Sequence, residues 1–322
     1  MVFSWPWGVS PTFSADHDGP LPRISIVTPN YNGARYLEAT IRSVICQGYP
    51  NLQYIVVDGG STDGSLEIIN RYRDHISVVI SEPDNGHGDA LNKGFQRADG
   101  QILAWLNSDD MYLPWTFQTV AEVFTKFPHV RWIEGLQSYW DVSGRLYGTQ
   151  NSLPLNQYDY LLGCYEWIQQ ESTFWTKDLW SEAGGRIAED YKLMIDGELW
   201  ARFFLHSRLH RVGYHLSGFR PHGANRSHNT ELLRQEMARA IDALRAAAPP
   251  EALDLVKQFK RIRKLLSPIP SAAIQGGIAR RLIPEQLRKM GYEIIWRDPD
   301  LLGTDSWKIS EIPFRYSRVH PW

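Results

Sequence analysis

Short apolar runs alternate with stretches of helical spacing through the first third of the chain. Residues 23–28 (RISIVT) read as a strand, halted by Pro29 and the turn former Asn30. Residues 34–47 place Leu37, Ile41, Val44 and Ile45 on one helical face, with Gly48 where a C-cap would stand. A second apolar strand (52–57), a short helix (65–73), a third strand (77–80), a helix (89–97) and a fourth strand (101–106) follow in order. Strands and helices alternating at this spacing predict βαβ units, hence an α/β fold on a mostly parallel sheet.

The polar segments between these elements carry the chemistry. The fourth strand breaks without a spacer into Asn107-Ser108-Asp109-Asp110. Two adjacent carboxylates at the end of a buried strand repel one another and lose solvation, so a positive partner is expected. An oxygen-preferring divalent cation, Mg²⁺ or Mn²⁺, fits and commonly brings substrate phosphates with it. An Asx-rich turn is the plainer reading of the same four residues. The other strand tails are TPNYN, DGGSTD and SEPDNGHGD, so four successive tails are polar and rich in Asp or Asn. In open α/β sheets ligands bind outside the carboxyl ends of the strands, which makes this edge the expected crevice. Neither GxGxxG nor GxxxxGK[ST] occurs, so bound phosphates would lean on a metal rather than on a glycine-rich loop. Asp58, just after a strand, is placed to accept hydrogen bonds from a base or ribose.

The run ISIVTPNYNGARYLEATIRSV, then YIVVDGGSTDGS, EPDNGHGDALNKG and AWLNSDD, resembles glycosyltransferase family 2 over about residues 23–225. The resemblance implies a GT-A, Rossmann-like nucleotide-sugar fold and an inverting transferase dependent on Mn²⁺ or Mg²⁺. Thr28, Pro29, Asn30 and Tyr31 would line the donor pocket, with Asp58 at the base and Asp109 at the ribose or sugar. Asn107 stands at the first position of the metal motif, and Asp110 would be the main metal ligand beside Asp109. Asp89, Asn92 and Lys93, on the helix after the third strand, would face the donor. The segment QQESTFWTKDLWSEAGGRIAEDYKLMIDGELWARF resembles the acceptor side, with Gln170, Glu198 and Trp200 near the acceptor. Its acidic residue, Asp196, would be the base, since inversion needs a carboxylate on the attacking hydroxyl. The family often carries Glu-Asp here, whereas this chain has Ile195-Asp196. Glu198 is the alternative base, with Glu189 and Asp190 behind it, and Asp196 could instead act as a helix N-cap. His222, in the GFRPHGANRSH loop, could reach the metal or the diphosphate, or be ordinary polar surface.

Downstream, residues 115–127 read as an amphipathic helix, 130–134 as a strand, 135–147 as a hairpin turning at Ser143-Gly144, and 155–163 as a short helix. Residues 1–22 read as an irregular leader. The catalytic domain spans 23–228, with a donor half to about 112 and an acceptor half beyond it. Residues 229–322 read as a helical extension with helices over 230–247 and 251–266. From 251 to 290 the chain carries nine lysines and arginines against three acids. A basic amphipathic helix can lie on an anionic membrane or pack its apolar face on the catalytic domain.

Composition narrows the setting. The hydrophobic fraction of 43% and the net charge of −2 describe an ordinary globular chain with no general pull toward nucleic acid. Two cysteines make neither a disulfide framework nor a thiolate metal site. With no signal peptide and no membrane span, a cytoplasmic protein is expected, at most peripheral at the inner membrane face. The 13 tryptophans could stack on sugars, but core or interface positions are the simpler expectation. The expected partners are a nucleoside-diphosphate sugar, most simply a UDP-sugar, and a glycan or lipid-linked acceptor in polysaccharide or glycoconjugate synthesis. A sugar-nucleotide-binding or lectin-like protein without catalysis, or a sugar nucleotidyltransferase, are the alternatives.

Overall fold

The computed structural model describes residues 20–150, 154–163, 168–223, 225, 230–266, 268, 291–301 and 303–312. The expected leader therefore lies almost wholly outside the described residues, as does most of the basic stretch after 266.

The predicted alternation is realised. Strand β1 (Ile24–Asn30), helix α1 (Ala34–Ile45), β2 (Leu52–Asp58), α2 (Ser65–Arg71), β3 (Val78–Ser81), α3 (His87–Phe95) and β4 (Ile102–Trp105) follow in that order. β1 is buried along its whole length and pairs in parallel with β2 on one side and β4 on the other; β3 extends the sheet beyond β2. A strand covered on both faces is mostly apolar, which is why β1 and β2 read as near-continuous hydrophobic runs.

Beyond β4 the sheet turns mixed. A two-residue β5 (Met111–Tyr112) leads into α4 (Thr116–Lys126), and the hairpin β6 (Trp132–Trp140) and β7 (Leu146–Gln150) turns through Gly144 at φ 81. Next come α5 (Gln157–Leu162), β8 (Thr173–Thr176), α6 (Lys177–Glu182), α7 (Ile195–Phe203), β9 (His210–His215) and the short β10 (Ser217–Gly218). β8 runs antiparallel between β4 and β6, joining the two halves, and β9 is parallel to β6. β10 pairs with β5 as a separate antiparallel ribbon. At Gly218 an added Cβ would lie 2.6 Å from Trp140 Nε1, so only glycine lets this ribbon close onto the hairpin.

Four tryptophans, Trp105 (β4), Trp132 (β6), Trp175 (β8) and Trp200 (α7), are at most 1% exposed and form the joint between the halves. Trp105 and Trp200 stack at 5.8 Å between centroids, and Trp175 meets both edge-on. These rings stabilise the core through buried area and ring geometry.

The C-terminal part departs from the helical extension expected for it. α8 (Thr230–Ala247) and α9 (Pro250–Leu266) are present, but β11 (Tyr292–Arg297) and β12 (Trp307–Ile312) follow and join the main sheet beside β9. Trp307, 1% exposed, donates its indole N–H to Glu122 of α4 at 2.7 Å. On α9, Ala252, Val256 and Phe259 are buried, and the helix packs on α5. Its apolar face is used within the protein.

Candidate active site

The ends of β1 and β2 meet in register, Asn30 opposite Asp58, with Ser81 of β3 next to Asp58. Asn30 donates its side-chain N–H to Asp58 Oδ1 at 2.8 Å, while Oδ2 accepts the Gly60 and Ser61 amides at 3.2 and 3.0 Å. Asp58 is fully buried. It braces the TPNYN and DGGSTD loops from inside, and both of its oxygens are engaged there, against the expectation that it meets a nucleotide base. Thr28 is also fully buried and accepts the Tyr54 hydroxyl at 3.1 Å, so it faces the core rather than the crevice. Of the expected donor-pocket residues, Tyr31 stands clear at 68% exposure, while Pro29 and Asn30 form the wall behind it.

α3 closes the third side. Asp89 accepts the Asn85 amide at 2.9 Å, and Lys93 pairs with Glu82 at 2.9 Å and reaches Asp89 at 3.5 Å. Both residues thereby hold the loop between β3 and α3. Asn92 ties α3 to the segment before α7, donating to the Ile187 carbonyl at 3.0 Å and accepting the Ile187 amide at 2.8 Å.

The Asn107–Asp110 turn is fixed from below. The Thr40 hydroxyl lies 2.9 and 2.7 Å from the Ser108 and Asp110 carbonyls. Asn107 donates to Gln170 Oε1 at 3.2 Å, and Gln170 donates to the Trp105 carbonyl at 2.8 Å. Gln170 therefore ties the end of β4 to the acceptor segment from a buried position.

The two carboxylates of the turn face different ways. Asp109 keeps 27% of its side chain exposed and lies 2.9 Å from His222 Nε2. Asp110 is fully buried and accepts the Arg220 backbone N–H at 2.8 Å. Burial first, then the Asp109 and Glu171 charges, push the Asp110 carboxyl well above the usual range. Fully enclosed and engaged by the Arg220 amide, Asp110 is poorly placed as the main metal ligand; it anchors the loop that brings His222 in. Tyr36 of α1 packs its ring 4.9 Å from that of His222 and under the Arg220 guanidinium at 4.7 Å.

A divalent cation suits this donor set. Among the described residues no three His, Cys, Asp or Glu side chains converge as a closed cage. One exposed carboxylate and one imidazole fit an ion that takes its remaining ligands from water and substrate phosphate.

On the acceptor side, α7 begins at Ile195 with Met194 at the cap position and no side-chain cap, so Asp196 sits in the first turn and is not the N-cap. Its Oδ1 accepts the Gly197 amide at 2.8 Å. Burial raises the Asp196 carboxyl to about 6, and the Glu236 charge adds to the shift. Glu198 is held by Arg202 through two 2.7 Å contacts, so its carboxylate is already paired. Trp200 is 1% exposed in the tryptophan core and cannot face an acceptor, which corrects the expectation for it.

Two residues of the site escape sequence reasoning. Glu171, 4% exposed in the turn Gln170–Ser172, has one carboxyl oxygen without a hydrogen-bond partner, and burial pushes it up to about 8. A charge set directly before a buried strand in QQES was the available signal. Arg220, 2% exposed, leaves Nε and Nη2 without partners beside Asp109 and Asp110. Nothing local in GFRPH marks that arginine as buried.

The sequence model described as Glycosyl transferase family 2 matches residues 25–132. An uncharacterised glycosyltransferase of Nostoc sp. is 37% identical over 105 residues, covering 32% of this chain and 33% of the relative. The putative teichuronic acid biosynthesis glycosyltransferase TuaG of Bacillus subtilis is 40% identical over 94 residues, covering 28% and 37%. The chain thus spans about a third of the length of these curated relatives. Among solved structures, S. aureus TarS residues 1–349 in complex with UDP-GlcNAc superposes with a TM-score of 0.55 at 18% identity, covering 69% of this chain and 66% of that one. The sheet with its helices matches GT-A glycosyltransferase structures, and the match to the glycosyl transferase family 2 model runs from β1 to the start of β6.

Proposed function

We propose that this chain is a glycosyltransferase that moves a sugar from a nucleoside-diphosphate sugar to a glycan or lipid-linked glycan acceptor, inverting the anomeric centre. The observation that carries the reading is the Asp109–His222 pair at the mouth of the crevice, with Asp196 rising from the acceptor-side helix α7. TarS is described with UDP and with UDP-GlcNAc, which supports a UDP-sugar as the donor. The relation to TuaG, named for teichuronic acid biosynthesis, supports a glycan as the acceptor class.

In this reading residues 23–112 bind the donor and 113–228 the acceptor. Asp109 and His222 would hold Mn²⁺ or Mg²⁺, which would supply positive charge for the leaving diphosphate. Tyr31 offers an exposed ring to the base, and Asp196 takes the proton of the attacking hydroxyl as the new bond forms. A base with a pKa near 6 is ionised at neutral pH yet still basic enough to accept that proton. Among the described residues no helix is long and apolar enough to cross a membrane. A peripheral place at the inner membrane face rests on the basic character of residues 251–290 alone.

The test is a panel of UDP- and GDP-sugars with Mn²⁺, scored for release of nucleoside diphosphate with and without glycan acceptors. Transfer that depends on the divalent ion and disappears in Asp196→Asn supports the proposal. Tight donor binding without turnover on any acceptor would favour the binding-protein alternative.

A further inference from the structure

Three consecutive backbone amides just before α7 converge on one side chain that lies far along the chain. Lys192 N–H donates to Glu236 Oε1 at 2.7 Å, and Leu193 and Met194 N–H donate to Oε2 at 2.8 and 2.9 Å. Glu236 belongs to α8 and is 6% exposed. The N-terminal amides of a helix have no partners within it, and α7 has no side-chain cap of its own. An anionic carboxylate there also complements the positive end of the helix dipole.

The contact is built rather than incidental. At Gly197 an added Cβ would lie 3.0 Å from Met237 Sδ and 2.6 Å from Met194 Cε, so a glycine in the first turn of α7 lets α8 approach closely. One turn along α8, Arg239 donates to the Asp190 carbonyl at 3.0 Å and stacks 3.7 Å over the Tyr191 ring. At its other end the same segment is held by Asn92 of α3, through Ile187 and Glu189. The segment 187–194 is therefore fastened to the donor side by α3 and to the C-terminal side by α8, and it ends two residues before Asp196.

We propose that Glu236 is a positioning residue for transfer: it fixes the first turn of α7, sets the direction of the Asp196 carboxylate, and places a second negative charge beside it. This rests on the reading of Asp196 as the base. It also assigns a role in the chemistry to α8, which lies outside the family match. The other ionisable groups that face Asp196 are Glu171 from the turn before β8 and Tyr160 from α5; Glu198, on α7 itself, is paired to Arg202. Of these acids, Glu236 has the direct hydrogen bonds to the backbone that carries Asp196.

The test uses the full chain. In Glu236→Gln the amides of residues 192–194 should exchange hydrogen faster. A carboxyl-carbon NMR titration should find Asp196 titrating at lower pH, because a neighbouring negative charge is gone. With the most rapidly hydrolysed donor of the panel, kcat should fall about 10- to 100-fold, the scale of a small misplacement of a catalytic group, with donor KM unchanged. Glu236→Asp should recover part of each effect, and Arg239→Ala should leave the Asp196 titration where it was. Unchanged Asp196 titration and kcat in both Glu236 variants would overturn the proposal, as would a loss confined to melting temperature. If Asp196→Asn keeps full turnover, the base assignment falls instead, and the exchange and titration results still show whether Glu236 holds this turn. Should Glu236→Gln fail to fold, Glu236→Asp carries the same readouts.

Discussion

The Asp109 carboxylate and the His222 imidazole lie 2.9 Å apart although 113 residues separate them. The contact joins the end of β4 to the loop after β10, and the β5–β10 ribbon beneath it sets the spacing. If this pair holds the cation, Asp109→Asn and His222→Ala should each weaken Mn²⁺-supported UDP binding by tenfold or more, about 1.4 kcal/mol. The double variant should be little worse than either single one, because residues that act as a unit are not additive. Isothermal titration with and without Mn²⁺ reads this directly.

Asp110 should behave differently from its neighbour. Asp110→Ala strips the buried Arg220 amide of its acceptor, a loss of about 1–3 kcal/mol. Its melting temperature should drop markedly, whereas Asp109→Asn should melt near wild type.

Asp196→Asn should bind UDP with Mn²⁺ as wild type does and lose transfer by about 10²–10⁴-fold. The base works ionised, so wild-type kcat should fall as pH drops through about 6. Glu198→Gln breaks the pair with Arg202 and should cost far less. A dead Glu198→Gln beside an active Asp196→Asn would move the base two residues along.

Glu171 makes a stability prediction. Its folded pKa of about 8 exceeds the ordinary carboxylate value, so the folded state binds the extra proton. Stability from this group is then present at low pH and is lost as pH rises from about 4.5 through 8. Glu171→Gln should therefore melt higher than wild type at pH 8 in chelator, with the difference shrinking toward pH 5. Equal melting curves at both pH values would show that burial does not raise this group.

Trp200→Ala should destabilise the fold by about 3–5 kcal/mol, as expected for removing a fully buried aromatic ring. Trp200→Phe should keep activity and leave acceptor KM unchanged. A selective rise in acceptor KM would return Trp200 to the acceptor surface.

How much was legible beforehand differs between neighbouring residues. The order β1 to β4 with its helices could be read from periodicity, because a strand buried on both faces is mostly apolar and an amphipathic helix repeats near 3.6. The gathering of four polar tails at one edge followed from parallel pairing, which puts successive carboxyl ends together. Local pattern does not separate Asp109 from Asp110, two acids side by side. Their difference comes from Arg220, whose amide meets Asp110 across 110 residues, and from His222, which meets Asp109. Trp200 is likewise the same letter in a core as on a sugar platform, and stacking on Trp105 settled which. β11 and β12 extend the sheet from the β9 edge, a pairing between strands about 80 residues apart. Sequence by itself determined the elements from β1 to β4, since each of these depends on neighbours a few residues away. Tertiary structure decided which carboxylates face solvent and which brace the walls, because a buried acid depends on partners that the chain supplies from a distance.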